Sequence, residues 1–284
     1  MPEAENFVFG RERRNDEEFG IYRKLVMAQA KNDEVLNVCQ DGGSVTALLL
    51  FALENGLIDG AVVAGVSKEQ PFLPVSRLAT ITEEIMQCAG TKYCYAPNIL
   101  ALREVVKHQK ANIAFVGLPC QIRAVRKMQM SGLKKYVGPV KFLIGLACSE
   151  CFSYEGLMKK HIQATLDIDL STIKKMNIKG KMIITTESGT QTMSLAEAKQ
   201  YARKGCRSCE DFSSELADVS VGGVGLDRWT FTVIRTDRGE ELFSKAEKEG
   251  VIKFRDVKEE PNALNLLNKL SRKKRQNAVS WLRL

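Results

Sequence analysis

Histidine is scarce in this sequence, with two among 284 residues, and no apolar run is long enough to span a membrane. A spanning helix needs roughly 18 to 20 apolar residues, whereas apolar runs such as 61–66 and 142–147 have only the length of strands. The charged first 20 residues lack the apolar centre of a signal peptide. We therefore expect a cytoplasmic protein without histidine-based triads, proton shuttles or metal sites, whose chemistry a cofactor supplies.

The composition favours a folded domain. Hydrophobic residues make up 44% of the chain and charged residues 27%, which is enough apolar material for a core. The chain has no internal repeat and no low-complexity linker. We expect residues 1–263 to form a single catalytic domain, because this length suits one large domain, and residues 264–284 to form a separate basic tail.

The net charge of +8 is unevenly distributed. The tail 264–284 has no acidic residue and six basic ones, Lys269, Arg272, Lys273, Lys274, Arg275 and Arg283. This tail is either the solvated face of a helix or a docking helix for a partner protein. A second block, 103–141, has nine basic residues against one acid and contains Cys120, so it could favour a thiolate and attract an anionic ligand. Nucleic-acid binding is disfavoured, because zinc-finger spacing and aromatic-interleaved strands are missing.

The first half of the chain alternates between strand-like and helix-like segments. We predict strands at 61–65, 113–117 and 140–147, and helices at 20–31, 45–53, 82–88, 97–109, 121–130 and 154–165. Such alternation is typical of a mostly parallel sheet with helices on both faces. The sequence therefore predicts the α/β fold class.

The pattern changes after residue 175. Segments 182–186 and 190–194 flank Gly189 and predict a hairpin. Two further strands are predicted at 216–221 and 230–235, and a turn at 237–239. We expect a β-rich insertion in the second half, followed by a basic C-terminal helix.

The eight cysteines require an explanation, since disulfides are rare in a reducing compartment. Cys206 and Cys209 form a Cys-x-x-Cys pair that could ligate a metal or cluster, or act as a redox dithiol. Cys120 and Cys148 each follow a predicted strand, so they should reach the same carboxyl edge of the sheet. Four thiolates suit zinc or an iron–sulfur cluster, and their scattered spacing leans towards iron–sulfur. Cys151, three residues after Cys148, is an alternative ligand.

The other three cysteines, Cys39, Cys88 and Cys94, show no pairing logic and are predicted to be buried thiols. Glycine-containing segments at 40–46, 89–98 and 217–225 could receive an anionic cofactor, because backbone N–H groups at a helix start bind phosphate and glycine permits close approach. On its own, segment 40–46 is better explained as an ordinary capped helix start, and each of the three segments alone is weak evidence. Together with the cysteines, they indicate a flavin nucleotide near a cluster.

These residues carry a resemblance to a known family. The chain resembles the coenzyme F420-reducing hydrogenase beta subunit and the wider coenzyme F420 hydrogenase/dehydrogenase beta-subunit family over about residues 20 to 270. The matching stretches are Gln40–Gly43, Ala61–Gly65, Ala89–Tyr93 with Pro97-Asn98, Pro119–Gln121, Gly205-Cys206 with Cys209, and Glu215–Ser220. The resemblance implies an archaeal, methanogenesis-related protein that binds FAD and one [4Fe–4S] cluster and uses coenzyme F420 as substrate.

The resemblance also implies which residues hold these groups. The implied cluster ligands are Cys120, Cys148, Cys206 and Cys209. The implied flavin-side residues are Gly42, Gly43, Ser44, Thr46, Thr91, Lys92, Tyr93, Asn98, Asp218, Ser220 and Gly223. Two features depart from the family pattern: Cys151 stands where a non-cysteine is expected, and the stretch 226–229 is shorter.

The resemblance implies hydride transfer between coenzyme F420 and FAD, and single-electron transfer between FAD and the cluster. The electrons would pass to or from a partner complex of the hydrogenase, formate dehydrogenase or heterodisulfide-reductase type. The basic block 103–141 and Lys92 could attract the anionic coenzyme. One alternative keeps FAD and the cluster but uses another donor, such as ferredoxin. A remote alternative is a zinc-stabilised nucleic-acid-binding module.

Overall fold

The computed structural model describes residues 1–282, without the side chains of residues 281 and 282. Arg283 of the basic tail lies outside the described residues. Within them, eleven strands form a sheet of eight and a sheet of three. The strands are β1 Lys24–Ala30, β2 Gly60–Val66, β3 Pro74–Ala79, β4 Ile113–Gly117, β5 Val140–Leu146, β6 Ile173–Ile178, β7 Met182–Thr186, β8 Thr190–Met193, β9 Val219–Gly222, β10 Thr230–Ile234 and β11 Ile252–Asp256.

Ten α-helices connect and flank these strands in the described part of the chain. They are α1 Pro2–Phe9, α2 Asp33–Val38, α3 Ser44–Glu54, α4 Thr82–Gln87, α5 Leu102–Lys107, α6 Pro119–Met130, α7 Lys134–Val137, α8 Leu195–Lys199, α9 Asp237–Lys248 and α10 Pro261–Leu282. A π-helix spans Tyr154–Gln163, and a 3₁₀-turn at Asn98–Ala101 precedes α5.

The predicted fold class is confirmed, and its parallel part is the centre of the large sheet. The strand order is β11-β1-β10-β9-β5-β4-β2-β3. The neighbours β9, β5, β4 and β2 are parallel, whereas β3 at one edge and β10, β1 and β11 at the other pair antiparallel. Because strands β2, β4, β5 and β9 point the same way, their carboxyl ends meet at one edge of the sheet.

Helices cover both faces of this sheet, as the sequence predicted. Along β4, Ala114 and Val116 face a core shared with α3 and α9, whereas Ile113 and Phe115 face a core shared with α1, α5 and α6. Successive side chains of a strand point to opposite faces, so an uninterrupted apolar strand is buried on both sides. The predicted run 113–117 therefore lies at the centre of the protein.

Two local predictions were wrong. Residues 20–31, predicted to be helical, contain strand β1, which pairs with β10 and β11; this tertiary pairing outweighs the local helix preference. Residues 237–239, predicted to be a turn, begin helix α9. Thr236 Oγ1 accepts a hydrogen bond from Gly239 N (3.2 Å) and caps this helix, whose buried side is Leu242, Phe243 and Ala246.

The β-rich insertion forms as predicted. Strands β6, β7 and β8 make the antiparallel three-stranded sheet, with the expected hairpin between β7 and β8. Side chains of this sheet and of the π-helix share a separate apolar core that includes Leu157, Met182 and Ile184. Phe152 joins this core to the cysteine-containing loops, since it bridges to Cys94 and to Ala202.

The basic C-terminal tail forms most of α10, which begins at Pro261. Its inner side is part of the fold, because Leu267, Ser271 and Lys274 are buried. Its outer side carries exposed Lys269, Arg272 and Lys273. Among the helices of residues 1–282, none has both the length and the apolar character needed to cross a membrane.

Candidate functional site

A cavity of about 350 Å³ opens at the carboxyl ends of β2, β4, β5 and β9. This is the edge at which open α/β sheets bind ligands, and the volume lies in the usual range for ligand pockets. All three predicted glycine-containing segments reach this cavity. Eight of the predicted flavin-side residues line it: Gly43, Ser44, Thr46, Thr91, Lys92, Tyr93, Asn98 and Gly223.

The N-terminus of α3 forms one wall of the cavity. Ser44 is 1% exposed, and its hydroxyl has no hydrogen-bond partner among the described residues. Gly43 precedes the helix with φ +72°, and within residues 1–282 no side chain caps the first turn. A side chain at Gly43 would also lie 2.9 Å from Val35 Cγ1. The glycine therefore exposes helix N–H groups, and a buried hydroxyl, to a ligand.

The segment 91–98 supplies a second wall. Lys92 Nζ donates hydrogen bonds to the carbonyl oxygens of Cys88 (2.5 Å), Ala89 (2.7 Å) and Gly90 (3.1 Å), beyond the end of α4. Burial lowers the pKa of Lys92 to about 8 and raises that of Tyr93 above its ordinary value. The Lys92 ammonium is therefore held chiefly by carbonyls at the helix C-terminus.

Asn98 faces the cavity with half of its amide unpaired. Its Nδ2 atom donates to Val116 O (2.9 Å), whereas Oδ1 is buried and has no partner among residues 1–282. Leaving a buried acceptor unpaired costs free energy. Asn98 Oδ1, like the Ser44 hydroxyl, is therefore available to a polar ligand.

Three predicted flavin-side residues do not line the cavity. Gly42 packs against β10, where its N–H donates to Thr230 Oγ1 (2.9 Å). Asp218 accepts hydrogen bonds from Arg126 Nη2 (2.8 Å) and from Leu143 N (2.8 Å). The hydroxyl of Ser220 accepts a bond from a buried arginine and donates one to a backbone carbonyl. These bonds assign Asp218 and Ser220 to the support of the sheet.

Two parts of the cavity wall were missed by sequence reasoning. Asp41 lines the cavity beside Gly223, where a Cβ atom would lie 2.4 Å from the Asp41 carboxylate. Burial raises the pKa of Asp41. Its position before the glycine pair was a usable signal. Asn177 and Lys179, by contrast, come from the insertion sheet, and local sequence does not reveal that this sheet reaches the cavity.

The four cysteines implied as ligands lie near one another, beside the cavity. Cys120 is in the first turn of α6, and Cys148 follows β5 by two residues. The pair Cys206 and Cys209 lies in a loop after α8. Cys148 feels the charge of Cys120 and Cys206, and Cys120 feels that of Cys209. Strand ends and one loop thus bring together thiols from three distant stretches of sequence.

Cys151 is a fifth member of this cysteine group. Its thiol donates to Tyr93 O (3.5 Å), and its carbonyl accepts from Cys206 Sγ (3.8 Å) and from Arg203 N (2.9 Å). Burial raises the pKa of Cys151 to about 12. Its thiol therefore points towards the wall of the cavity.

Electrostatics around the cysteine group oppose ionised thiols. Burial raises the pKa values of Cys148 and Cys209. The nearby ammonium of Lys274 acts in the opposite direction on Cys148 and Cys209. Lys274 Nζ donates to Ser149 O and to Cys206 O (3.4 Å). A cationic centre would therefore be needed to hold these thiols as thiolates.

Within the described residues, no group of three or more His, Cys, Asp or Glu side chains is arranged to hold a metal ion. A zinc ion draws four thiolates to one point, whereas a four-iron cluster accepts one thiolate at each of its four irons. The cysteine group supplies the kind of ligand that either centre uses.

The remaining cysteines are at the cavity. Cys39 and Cys94 are buried and Cys88 is partly buried, and all three line the cavity wall. Burial raises the pKa of each. Cys39 and Cys94 are therefore buried thiols, as predicted, whereas Cys88 is only partly buried.

The cavity and the cysteine group are adjacent because the same strands lead to both. At the end of β4, Leu118 lines the cavity and Cys120 lies two residues further. At the end of β5, Ala147 lines the cavity and is followed directly by Cys148. A cavity of ligand size beside a group of cysteines, at the carboxyl edge of an α/β sheet, is therefore the candidate functional site.

Comparison with known proteins identifies the family. Residues 25–103 match the N-terminal part, and residues 110–260 the C-terminal part, of the family described as coenzyme F420 hydrogenase/dehydrogenase, beta subunit. The chain belongs to this family of oxidoreductase subunits. The family resemblance seen in the sequence motifs is thereby confirmed.

Comparison with individual relatives supports this family assignment. The coenzyme F420 hydrogenase subunit beta of Methanothermobacter thermautotrophicus is 37% identical over 264 residues, which cover 91% of this chain and 93% of that protein. The coenzyme F420-dependent sulfite reductase of Methanocaldococcus jannaschii is 37% identical over 75% of this chain and 36% of its own length. A chain of the F420-reducing [NiFe] hydrogenase complex from Methanosarcina barkeri superposes with a TM-score of 0.90 at 36% identity, over 95% and 94% of the two chains.

Proposed function

We propose that this chain is the subunit of a larger oxidoreductase that exchanges electrons with coenzyme F420. FAD would occupy the cavity, and a [4Fe–4S] cluster would be held by Cys120, Cys148, Cys206 and Cys209. When bound, FAD would exchange hydride with coenzyme F420 and single electrons with the cluster. A partner complex would receive or supply these electrons. The observation that carries this proposal is the adjacency of cavity and cysteines at the ends of β4 and β5.

The cavity suits the diphosphate of FAD. The first turn of α3 offers N–H groups, and the positive end of the helix dipole favours an anion. The buried hydroxyl of Ser44 and the buried Oδ1 of Asn98 need partners, which a ribose or ribityl hydroxyl could supply for Asn98. The chain thus provides both a phosphate site and unpaired polar atoms for a dinucleotide.

The cysteine group suits the cluster. Four thiols from three segments lie near one another, and Lys274 of α10 donates hydrogen bonds to the backbone beside two of them, at Ser149 O and Cys206 O. The lysine holds the backbone on both sides of the group, so the loops of Cys148 and Cys206 keep a fixed separation. Its positive charge also favours the thiolate form that iron requires.

Coenzyme F420 is proposed as the substrate because the matched relatives carry it in their names. The expected attraction by the basic block 103–141 remains a prediction. Two of its arginines are already paired, Arg123 with Glu210 and Arg126 with Asp218. Lys175 and Lys179 of the insertion act on Asp41 at the cavity wall, where their positive charge opposes the effect of burial on its pKa, so they are further candidates to attract the anionic coenzyme.

Family membership also bears on the two alternative functions considered from the sequence. A zinc-stabilised nucleic-acid module is disfavoured, because the family consists of oxidoreductase subunits. The other alternative is a subunit that keeps FAD and the cluster but takes electrons from a donor other than coenzyme F420. It would use the same cavity and the same cysteine group. The partner complex could be of the hydrogenase, formate dehydrogenase or heterodisulfide-reductase type.

The test is the cofactor content of the protein after anaerobic purification with FAD, iron and sulfide. We expect one FAD and four iron atoms per chain. Ser44→Glu should lose FAD and keep iron, because the added carboxylate repels the diphosphate. Cys206→Ser should lose iron and keep FAD. Circular dichroism checks that each variant is folded.

Matched controls distinguish local damage from cofactor binding. Ser131→Glu, at an exposed serine, should retain both cofactors, and Cys88→Ser, at a cysteine outside the cysteine group, should retain iron. A wild-type chain that binds neither FAD nor iron would refute the proposal. One zinc ion per chain without flavin would support the nucleic-acid alternative instead.

A further inference from the structure

We propose that an acidic electron-transfer protein docks over the cysteine group, on a surface that we call the basic collar. The collar consists of Arg203, Lys204 and Arg207 around the Cys-x-x-Cys loop, and of Lys269, Arg272 and Lys273 on the outer side of α10. This inference rests on the proposed function, because it assumes that the cysteines carry a redox centre.

The collar lies at the cysteine group because α10 touches the loop that holds Cys206. Lys274 donates to Ser149 O and to Cys206 O from the inner side of the helix. Lys273 is the next residue and is exposed. Lys204 lies two residues before Cys206 and is also exposed. The two positive side chains therefore stand on different elements at the same end of the sheet.

The surface between these charges is open to a partner. Cys120 is exposed, as are Ser149, Gly205 and Ser208 beside the other cysteines. A Cβ atom placed on Gly205 would meet no described atom within 4 Å. Because small residues cover the cysteine group here, a docked protein could bring its own redox centre close to it.

Acidic residues near the collar are already engaged. Glu150 pairs with Lys199 (3.2 Å) and Glu210 with Arg123 (3.0 Å), both outside the collar. Glu18 pairs with Arg272 (3.1 Å) and so balances one of the six collar charges. Lys204 and Lys273, in contrast, form no ion pair within residues 1–282. Arg203 is oriented by the Tyr95 ring, 3.8 Å from its guanidinium carbon. The collar therefore presents net positive charge, which steers and orients a negatively charged partner.

Charge complementarity selects the kind of partner. A basic surface repels a basic protein and attracts an acidic one over about one Debye length, roughly 10 Å at 0.1 M salt. The effect should be largest in the rate of association. An acidic redox protein fits both the charge of the collar and the electron-transfer role of the centre beneath it.

The test measures binding of a small acidic plant-type ferredoxin, used as a probe, to the cofactor-loaded chain. Lys204→Glu and Lys273→Glu should each raise the dissociation constant about five- to tenfold at low salt, because each reverses a charge at the contact. The control Lys134→Glu lies on α7, at the opposite edge of the sheet, and should change the dissociation constant less than twofold. Added salt should weaken wild-type binding and reduce these differences.

The outcomes separate this inference from the proposed function. Iron and flavin are measured on the same samples, so a chain without a cluster would contradict the proposed function. A loaded chain that binds the ferredoxin equally well with Lys204→Glu and Lys273→Glu would overturn the basic collar. So would equal weakening by Lys134→Glu, or equally tight binding of basic cytochrome c. Point changes are preferred to deletion of α10, because its inner side belongs to the fold.

Discussion

Replacing Lys274 by methionine should destabilise the protein, because the lysine ammonium joins two loops that carry cysteines. Lys274 is 8% exposed and donates to Ser149 O and to Cys206 O. Hydrogen bonds from a charged donor contribute about 1.5–3 kcal/mol each. The Cys206 bond is long, at 3.4 Å, and removing a buried charge returns part of the loss. The net cost should be about 2–4 kcal/mol.

Thermal unfolding of the purified chain measures this cost. For a chain of this size, 1 kcal/mol corresponds to about 2 °C in Tm, so Lys274→Met should lower Tm by about 4–8 °C. Lys273→Met is the matched control, since Lys273 is adjacent and exposed and should shift Tm by less than about 1 °C. Equal Tm values for the two variants would refute the role assigned to Lys274. Iron content should fall in Lys274→Met and stay unchanged in the control.

Three further changes test other parts of the structure. Arg126→Met removes the partner of Asp218 from a buried ion pair and should cost about 3–5 kcal/mol; chemical denaturation that shows less than 1 kcal/mol would contradict this. Hydrogen bonds from Arg11 hold the pKa of Glu17 at about 2, so this pair contributes stability above pH 4.5 that is lost as the pH falls towards 2. The Tm difference between wild type and Glu17→Gln should therefore shrink over that range, and a constant difference would exclude the pair as its cause. Gly42→Ala places a Cβ atom 2.5 Å from a backbone oxygen and should lower Tm by a few degrees and weaken FAD binding; an unchanged FAD affinity would show that the loop adapts.

Local sequence signals predicted the centre of the fold well. The apolar runs around Ala114 and Leu143 are strands because both of their faces are buried, and such burial is visible as an uninterrupted apolar pattern. The same logic placed Cys120 and Cys148 at the carboxyl edge of the sheet. Positions that follow directly from a strand end need no knowledge of distant contacts.

The antiparallel edges of the sheet were harder to predict. Strand β1 was predicted as a helix, and β3 and β11 were not predicted at all. The partners of β1 and β11 lie far away in the sequence, because β1 pairs with β10 and with β11. Edge strands have mixed apolar and polar patterns, so local propensity alone decides poorly between helix and strand.

In the candidate site, too, some features follow from local sequence and others depend on distant contacts. Ser44 and Asn98 reach the cavity as predicted, since each lies at the start of a helical segment. Asp218 and Ser220 belong to a sequence motif, yet their hydrogen bonds support the sheet. Lys179 reaches the cavity from the insertion, which only the tertiary structure reveals. A motif therefore identifies the region of a site more reliably than the role of each side chain.

The most direct test of the account is anaerobic titration of the cofactor-loaded chain with reduced coenzyme F420, followed by absorption spectroscopy. The account predicts that the flavin and cluster bands bleach in the wild-type chain, whereas in Cys206→Ser the flavin band alone bleaches. It is contradicted if the fully loaded wild-type chain keeps its oxidised spectrum in the presence of excess reduced coenzyme F420.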